Sequence, residues 1–306
     1  MAKTDNLGDF LKDVADSIRT KTGTTETINA QDFSDKILSI QTGGENTLKK
    51  LLDATWSSAH LFENYSEFLI DDLIQPNDTE NVTNMNYMFR SCVNLRSAPP
   101  LNTSKVTSMV YMFSDCQQLT TVPQYDTSAV KEMGNCFSSC FKLTDVPQLN
   151  TSNAVLLNNM FAHCYSLTNP PLLNTDKCTS MTFMFIDCPK LTTIPLYNTS
   201  NVTQMYGTFD SCTKLEIIPA LNVSKVEQMT NIFRACTNLK SILMTGMKVS
   251  FDISASTKFE RTDLVTILDN LATVTTATTL TMGATNLAKL TDEDKAIATN
   301  KGWTLA

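Results

Sequence analysis

The chain has 306 residues, of which 42% are hydrophobic and 18% charged, a composition typical of a folded protein and not of a disordered one. It has no apolar run near the ~18 residues of a membrane-spanning helix and no basic-then-apolar start, so we expect neither a membrane span nor a secretion signal. The net charge of −7 lies mainly in the N-terminal part, whereas residues 78–245 hold eleven acidic and eleven basic residues. A neutral segment without a basic stripe argues against nucleic acid as a partner.

Residues 1–44 predict a small helical hairpin. Apolar residues recur at helical spacing in 6–19 and again in 30–40, which gives each segment one apolar face. A unit of this size has little core of its own and needs a partner. We interpret it as a docking or oligomerisation element; the alternative is that it folds back onto the rest of the chain. The residues assigned to docking are Leu7, Phe10, Leu11, Val14, Phe33 and Ile37.

Residues 45–77 are predicted to form an N-terminal cap with a degenerate repeat. The preceding Gly43–Gly44 pair has the composition of a hinge, and Phe62 and Tyr65 share the Phe-x-x-Cys spacing of the repeats that follow. Terminal units of a repeat array are commonly atypical because they cover its apolar end. We therefore divide the chain into four segments, 1–44, 45–77, 78–245 and 246–306.

The segment 78–245 consists of seven units of 24 residues that follow one another without insertion. Phenylalanine, cysteine and leucine each recur once per unit, from Phe89 to Phe233, from Cys92 to Cys236 and from Leu95 to Leu239. Such a period predicts a solenoid, because one unit cannot bury its apolar side without a neighbour. In the first half of a unit, apolar residues stand at i, i+3, i+6 and i+7, which favours a short helical or irregular turn facing inward.

The second half of each unit predicts a short parallel strand, with Leu119 and Val122 facing inward in 119–125. A proline near the end limits the strand to a few residues, because proline cannot donate to a ladder. The Asn-Thr-Ser before each turn supplies side-chain oxygens for its free N–H groups. The predicted fold class is an α/β repeat solenoid with short parallel strands, an N-terminal helical hairpin and a small α+β C-terminal cap.

The segment 246–306 is predicted to be that cap, covering the apolar edge of the last repeat. Its elements are a helix with an apolar stripe of Leu264, Ile267, Leu268 and Leu271, a strand at Thr279–Met282, a helix opened by Thr291, a stop at Gly302 and a final strand at Trp303–Leu305. The acidic residues after Thr291 suit the positive end of a helix.

The repeat pattern NTSxVTxMxxMFxxCxxLxxxPxL resembles the BspA-like class of leucine-rich repeats, found in bacterial surface proteins, mycoplasmas and phages. The flanks add a second resemblance. The segment 6–40 is similar to the N-terminal segment of phage tail and other virion proteins, and 280–306 is similar to a module that follows such repeats in phage proteins. The resemblance implies a component of the phage tail or particle surface, made in the host cytoplasm and assembled as a homo-oligomer such as a trimer.

Cysteine and histidine give no sign of a catalytic or metal site. Stacked cysteines would bring their Cα atoms about 5 Å apart, which is within reach of a disulfide. Their side chains point the same way and compete, however, so we expect a reduced, buried column. The sequence has no Cys-x-x-Cys pair and only two histidines, His60 and His163, and neither has a recognisable catalytic partner. We predict no metal, no cofactor and no enzymatic activity.

The candidate binding residues are those that vary beside the strands while the repeat frame stays constant. Solenoids commonly bind partners on such an extended face. Tyr125 and Tyr197, in positions mostly held by leucine, are expected to add aromatic character. The full set is Arg96, Thr120, Thr121, Tyr125, Thr144, Asp145, Thr168, Asn169, Thr192, Thr193, Tyr197 and Glu216. The alternative is a merely soluble face rich in β-favouring threonine.

The sequence leaves three functions to distinguish. The first is a non-enzymatic virion protein, whose N-terminal helices attach to the particle and whose repeats bind other virion proteins or a host surface glycan or protein. The second is a bacterial cell-surface adhesin of the same repeat class. The third is a glycan depolymerase, which is disfavoured because such enzymes need two carboxylates at a defined separation and the repeat pattern accounts for the acids present.

Overall fold

The computed structural model describes residues 79–306. In residues 79–245 the chain winds into coils that stack in parallel, so that residues 24 apart in sequence lie side by side. The predicted segments 1–44 and 45–77 lie outside the described residues. So do the docking residues Leu7, Phe10, Leu11, Val14, Phe33 and Ile37.

Two parallel ladders join neighbouring coils. The first passes through one residue of each coil, beginning with Asn84 and Ser108. The second begins with Ser97 and lengthens at its far end into two strands, β1 (Ile217–Ile218) and β2 (Ser241–Ile242). The predicted parallel strands are therefore present only in part. Most of them are reduced to single bridges, and the second ladder has no bridge between Thr121 and Asp145 or at Thr193.

The proline column explains why the second ladder is short. Pro219 follows β1 directly, and proline has no N–H with which to continue a ladder. In the last coil Leu243 takes the proline position, and its N–H donates to the carbonyl of Ile218 at 3.0 Å. The ladder thus extends at the one described coil where the proline is missing.

The first half of each coil is a run of turns, not a helix. We name this part of each coil, residues 85–92 in the first described coil, the turn arc. Alternate N–H groups bond within the arc and across to the next coil: Met88 donates to Met85 at 3.3 Å, whereas Phe89 donates to Met112 at 2.9 Å. Two residues per arc, Tyr87 and Ser91 in the first, have positive φ. The irregular turn is the correct alternative, and the α/β label is wrong for the described repeats, which hold no α-helix.

Aromatic rings form the centre of the repeat core. The rings of the phenylalanine column stack with centroids 5.3–6.0 Å apart and interplanar angles of 3–10°. The column consists of Phe89, Phe113, Phe137, Phe161, Phe185, Phe209 and Phe233, and all of these side chains are buried. Offset stacking of this kind adds to the area term of burial, so each coil is stabilised by both of its neighbours.

The cysteine column bonds to the phenylalanine column. Each thiol from the second coil onward donates to the phenylalanine carbonyl of the preceding coil, as Cys116 does to Phe89 at 3.1 Å and Cys236 to Phe209 at 2.9 Å. All nine cysteines are free and buried. Burial raises the pKa of Cys136 to well above its ordinary value and that of Cys178 to about 11. The column is structural, as the sequence predicted.

The Asn-Thr-Ser motif closes each coil. The side-chain oxygen of Asn198 accepts the N–H of Ser200 at 3.1 Å, and its equivalents in the other coils do the same. The buried threonine that follows usually spans the coils, as Thr199 does by donating to the carbonyl of Asn222 at 2.8 Å. The exception is Thr127, whose hydroxyl has no partner within the described residues. Local turn chemistry therefore explains the recurrence of the motif.

The C-terminal segment continues the parallel stacking but replaces turn arcs by helices. Its elements are β3 (Phe251–Asp252), α1 (Arg261–Asp269), β4 (Thr278–Thr281), α2 (Gly283–Leu287), α3 (Asp292–Thr299) and β5 (Trp303–Leu305). The sheet has the order β3-β4-β5 and is wholly parallel. The expected α+β cap is thus an α/β cap, because its helices alternate with parallel strands.

Several details of this cap match the sequence predictions. Leu264, Ile267 and Leu268 are buried on α1, whereas Leu271 follows that helix and bridges Met247. Thr291 caps α3 by accepting the N–H of Asp294 at 3.2 Å. No helix within the described residues is long and apolar enough to cross a membrane.

We expect the cysteines to resist alkylation in the folded protein, because burial keeps their thiols protonated. Iodoacetamide at neutral pH should label few or none of the nine in the native chain and all nine after unfolding without reductant, as counted by mass spectrometry. Fewer than nine labelled thiols in the unfolded chain would show that a disulfide forms, and rapid native labelling would contradict the buried column.

A second prediction concerns Asp294, which accepts two hydrogen bonds from Arg261, both 2.7 Å long. This pair, together with the N–H of Thr291, lowers the pKa of Asp294. A lowered pKa stabilises the fold above the unfolded-state pKa, and the contribution is lost as pH falls through the folded-state value. Asp294→Asn should therefore lower the melting temperature at neutral pH and flatten its decline below about pH 4.

The matched control is Glu227→Gln, which neutralises an exposed carboxylate in the repeats. It should leave both the melting temperature and its acid decline almost unchanged. An equal effect of the two variants in a thermal melt followed by circular dichroism would contradict the assignment of this stabilisation to Asp294.

Candidate interaction surface

The face beside the second ladder carries most of the predicted binding residues. We name it the strand face and define it by residues 96 and 97 and their equivalents in each coil. Glu216 is partly buried and the other predicted residues of this face are exposed. They are Arg96, Thr120, Thr121, Thr144, Asp145, Thr168, Asn169, Thr192, Thr193 and Glu216.

Hydrogen bonds between coils hold this face rigid. The N–H and the hydroxyl of Thr120 both donate to the carbonyl of Arg96, each at 2.9 Å. The hydroxyl of Thr121 donates to that of Ser97 at 3.2 Å. Some threonine hydroxyls are therefore already hydrogen-bonded within the solenoid. The exposed methyl groups and the variable polar side chains remain available to contact a partner.

Tyr125 and Tyr197 do not belong to this face, contrary to the expectation from the sequence. Their side chains are 4% and 3% exposed and stack on Phe113 and Phe185, with centroids 6.2 and 6.3 Å apart. The hydroxyl of Tyr125 donates to the carbonyl of Pro99 at 2.6 Å, and the hydroxyl of Tyr197 donates to the carbonyl of Pro171 at 3.0 Å. In each pair the proline lies 26 residues earlier in the chain. Burial raises the pKa of Tyr197.

The reason for the error is that a leucine position in this repeat points inward whatever residue fills it. Because a tyrosine side chain is longer than that of leucine, its hydroxyl reaches the carbonyl of a proline in the preceding coil. A buried tyrosine hydroxyl needs a partner, and this carbonyl supplies it.

An exposed apolar strip overlaps the strand face, and its leucines were missed by sequence reasoning. Leu172 and Leu196 are 55% and 61% exposed, and Ile217 and Leu243 are 44% and 39% exposed. They lie on four successive coils; Ile217 is itself a strand-face position, and the three leucines lie within three residues of one. Aligning the repeats could have found them, since Leu172 and Leu196 occupy the position held by Gln124 and Gln148 in earlier coils.

A polar pair lies beside the strip. The ammonium of Lys240 is 3.0 Å from the carboxylate of Glu216, and both side chains are about half exposed. Charged groups at this exposure contribute little to stability. They leave the strip with an apolar centre and a polar edge.

His163 has a partner that the sequence analysis overlooked. Its Nδ1 lies 3.3 Å from the carboxylate of Asp187, which occupies the same position one repeat later. The neighbouring Cys164 points inward and donates to the carbonyl of Phe137 at 3.2 Å. Imidazole and thiol therefore lie on opposite sides of the backbone and cannot act as a nucleophile and base. No group of three potential metal ligands occurs within residues 79–306.

The parallel coils and their inward columns define a class, that of solenoids of the leucine-rich-repeat type. Within it, the family described as "Mycoplasma protein of unknown function, DUF285" matches residues 57–173 and 166–266, and the chain belongs to this family of BspA-like repeats. No curated protein matches the sequence.

Solved structures of three bacterial repeat proteins resemble the chain at low identity. The leucine-rich repeat protein TpLRR of T. pallidum is 14% identical, with a TM-score of 0.31, and the match covers 74% of this chain and 79% of that one. A leucine-rich repeat protein of Bacteroides ovatus is 13% identical, with a TM-score of 0.24 and coverage of 68% and 77%. A leucine rich cell surface protein of Faecalibacterium prausnitzii is 18% identical, with a TM-score of 0.25 and coverage of 61% and 76%. At these TM-scores the similarities carry no further conclusion.

We expect Tyr197→Phe to destabilise the solenoid without altering its surface. The substitution leaves the carbonyl of Pro171 without its buried donor, which should lower the free energy of unfolding by about 1–2 kcal/mol. Urea denaturation measures the change. Tyr165→Phe, which removes the hydroxyl of a 39% exposed ring, is the control and should change it by less than about 0.5 kcal/mol. Equal changes in the free energy of unfolding for the two substitutions would contradict the buried position of Tyr197.

Proposed function

We propose that this chain is a non-enzymatic interaction protein that binds a protein partner through its strand face and apolar strip. We propose further that it is a component of a phage particle, associated with the tail. The apolar strip carries the first proposal, because large aliphatic side chains clustered on a rigid surface are typical of interaction sites. The membership of the chain in a BspA-like repeat family supports an interaction role.

The dimensions and chemistry of the strip favour a protein over a glycan on this side. At about 4.8 Å per coil, Leu172 and Leu243 are separated by roughly 14 Å along the solenoid. Complete burial of one leucine stabilises a complex by about 1.5–3 kcal/mol relative to exposure. An apolar centre bordered by Lys240 and Glu216 and by a polar strand face has the anatomy of a protein interface.

Support for the phage particle comes from the flanks of the sequence. The segments 6–40 and 280–306 are similar to parts of phage virion proteins, and the first would dock the chain on the particle. The partner of the strand face would then be another virion protein or a protein of the host surface. The alternative is a bacterial cell-surface adhesin, which the BspA-like repeats favour equally.

Binding experiments with two variants test the interface. The double substitution Leu172→Ser and Leu196→Ser should weaken binding of the purified chain to host cells or to isolated tails at least about 10-fold, since each 1.4 kcal/mol is tenfold in affinity. Val155→Ser with Leu156→Ser is the control, because these residues are 40% and 42% exposed but adjoin the first ladder. Equal binding by the strip variant and the native chain would sink the proposal.

Proteomics of purified particles tests the phage assignment separately. The chain should be present in stoichiometric amounts, at a copy number that matches the symmetry of a homo-oligomer. Its absence from particles and presence on a bacterial surface would favour the adhesin instead, and would leave the interface proposal untouched.

A further inference from the structure

A polar cavity opens between neighbouring coils at one end of the apolar strip. Its volume is about 590 Å³, and it is lined by residues 124–127, by their neighbours 148–150 and by Asn174. We propose that this cavity binds a guanidinium group, which a protein partner presents as an arginine side chain. The partner is that of the proposed interface, on which this inference therefore rests, whereas the affinity of the cavity for the group can be measured without any partner.

The cavity interrupts a hydrogen bond that joins the coils elsewhere. In five other coils the buried threonine donates to the carbonyl of the residue 23 positions later, at 2.8–3.1 Å. The hydroxyl of Thr127 is buried without a partner, and the carbonyl of Asn150, its expected acceptor, receives no hydrogen bond within residues 79–306. Both residues line the cavity. A hydroxyl and a carbonyl that elsewhere satisfy each other are thus left unpaired there.

A buried polar group without a hydrogen bond is unfavourable, because it has lost water and gained nothing in return. The five equivalent bonds show that the repeat geometry allows this one to form. A donor that enters between the two coils can bond to the oxygen of Thr127 and to the carbonyl of Asn150, which removes the deficit. The unpaired groups therefore point to a ligand that donates.

Two glutamines at the cavity have free amide oxygens. The Nε2 of Gln124 donates to the carbonyl of Gln148 at 2.5 Å, and the Nε2 of Gln148 donates to the carbonyl of Leu172. Because only the nitrogen of an amide can donate, these bonds fix the orientation of both side chains. Neither Oε1 atom accepts a hydrogen bond from the described part of the chain, so the glutamines add two acceptors to the site.

Asp126 supplies a negative charge that the repeat does not require. The equivalent residue is asparagine in the five other coils between Asn102 and Asn222. Asp126 accepts the N–H of Ser128 at 3.0 Å, as asparagine does in those coils. The hydroxyl and the N–H of Ser128 hold the pKa of Asp126 below its ordinary value, so the side chain is ionised at neutral pH. No basic side chain among the described residues forms an ion pair with it.

The other charged side chains near the cavity are bonded elsewhere or lie on another face. Lys105 and Lys177, on the coils before and after, each donate to an asparagine of the preceding coil at 2.7 Å. Asp176 accepts from the following coil at 2.6 Å. The charged residues 131–132 belong to the first ladder, and Asp145 belongs to the strand face. The cavity therefore has one negative charge and an excess of acceptors.

This set of groups fits a guanidinium better than an ammonium. A guanidinium carries five N–H donors in one plane and no acceptor, and two of them can pair with one carboxylate. The remaining donors can reach the amide, hydroxyl and carbonyl oxygens that lie on the two coils. An ammonium has only three donors and is more strongly hydrated. Tyr125 and Leu149, both buried, offer apolar surface to the methylene groups of an arginine.

The cavity is continuous with the apolar strip. Gln148 occupies the position that Leu172 and Leu196 take in the next two coils. A protein that covers these leucines is therefore within one coil of the cavity, which is roughly 5 Å. Arginine is enriched in protein interfaces and among the residues that contribute most to affinity. We therefore expect the partner to place an arginine beside the apolar residues that contact the strip.

The first experiment titrates the full, ¹⁵N-labelled chain with Nα-acetyl-arginine amide and follows side-chain and backbone amide signals by NMR. The comparison compounds are the citrulline analogue, which keeps the shape of arginine without its charge, and the lysine analogue. The arginine compound should bind with millimolar affinity and shift the side-chain signals of Gln124 and Gln148. The citrulline compound should bind at least about 10-fold more weakly, and the lysine compound should lie between the two.

Asp126→Asn introduces the residue that the other coils carry and keeps an acceptor for Ser128. It should weaken binding of the arginine compound at least about 10-fold with an unchanged melting temperature. The matched control is Asp176→Asn, which makes the same change of charge on an exposed carboxylate two coils further along. It should bind the compound as the native chain does.

Thr127→Val removes the unpaired hydroxyl and introduces the residue that the last coil carries at this position, Val223. It should weaken binding of the arginine compound about threefold or more while the melting temperature stays equal or rises. This variant decides the matter if Asp126→Asn proves unstable. Binding of the arginine compound by both variants as by the native chain would overturn the proposal. So would equal affinity for the arginine and citrulline compounds, or no binding of either up to about 50 mM.

Binding to host cells or to isolated tails separates this inference from the proposed interface. Asp126→Asn should weaken that binding at least about fivefold, in addition to the effect of Leu172→Ser with Leu196→Ser. Weaker binding by the strip variant alone would refute the arginine contact and leave the interface standing. If neither variant weakens binding, the interface fails, and the titration with the arginine compound still decides whether the cavity binds a guanidinium.

Discussion

The rest of the repeat structure depends on the constant offset of 24 residues between coils. In each turn arc, alternate N–H groups donate to the next coil and the remaining ones close turns within their own coil, so the backbone is satisfied without a helix. An insertion of one residue within a coil would shift part of that coil against its neighbours and break the bonds that span the insertion. The offset also brings identical positions into contact, and this is why single residue types form continuous columns.

The columns divide the residues into two groups that experience different constraints. Inside, each phenylalanine stacks on the ring of one or both neighbouring coils, and each thiol from the second coil onward donates to a carbonyl of the preceding coil. Side-chain size and donor chemistry are therefore closely constrained. Outside, the backbone is already bonded and a side chain has only solvent or a partner to satisfy. Variation there costs the fold little, and an exposed large apolar side chain such as Leu196 therefore calls for an explanation in terms of binding.

Features that depend on a single local rule could be predicted from the sequence. The asparagine turns, the cap at Thr291 and the inward cysteine column follow from turn chemistry, capping and periodicity, and the structure contains all three. A feature could not be predicted where two structures share one sequence pattern. Apolar residues at i, i+3, i+6 and i+7 fit a helical turn and an irregular one equally, and only the bonds to the next coil favour the second.

The sequence by itself determined the period, the inward columns and the class of repeat, because these depend on spacing along the chain. Only the tertiary structure decided which side chains are free to bind. Tyr125 and Tyr197 became core residues because a carbonyl in the preceding coil accepts their hydroxyls. Leu172 and Leu196 became surface residues because the position they share is exposed in the first six described coils, whichever residue fills it. Exposure depends on what lies beside a residue in the neighbouring coil, and that neighbour is 24 residues away in sequence.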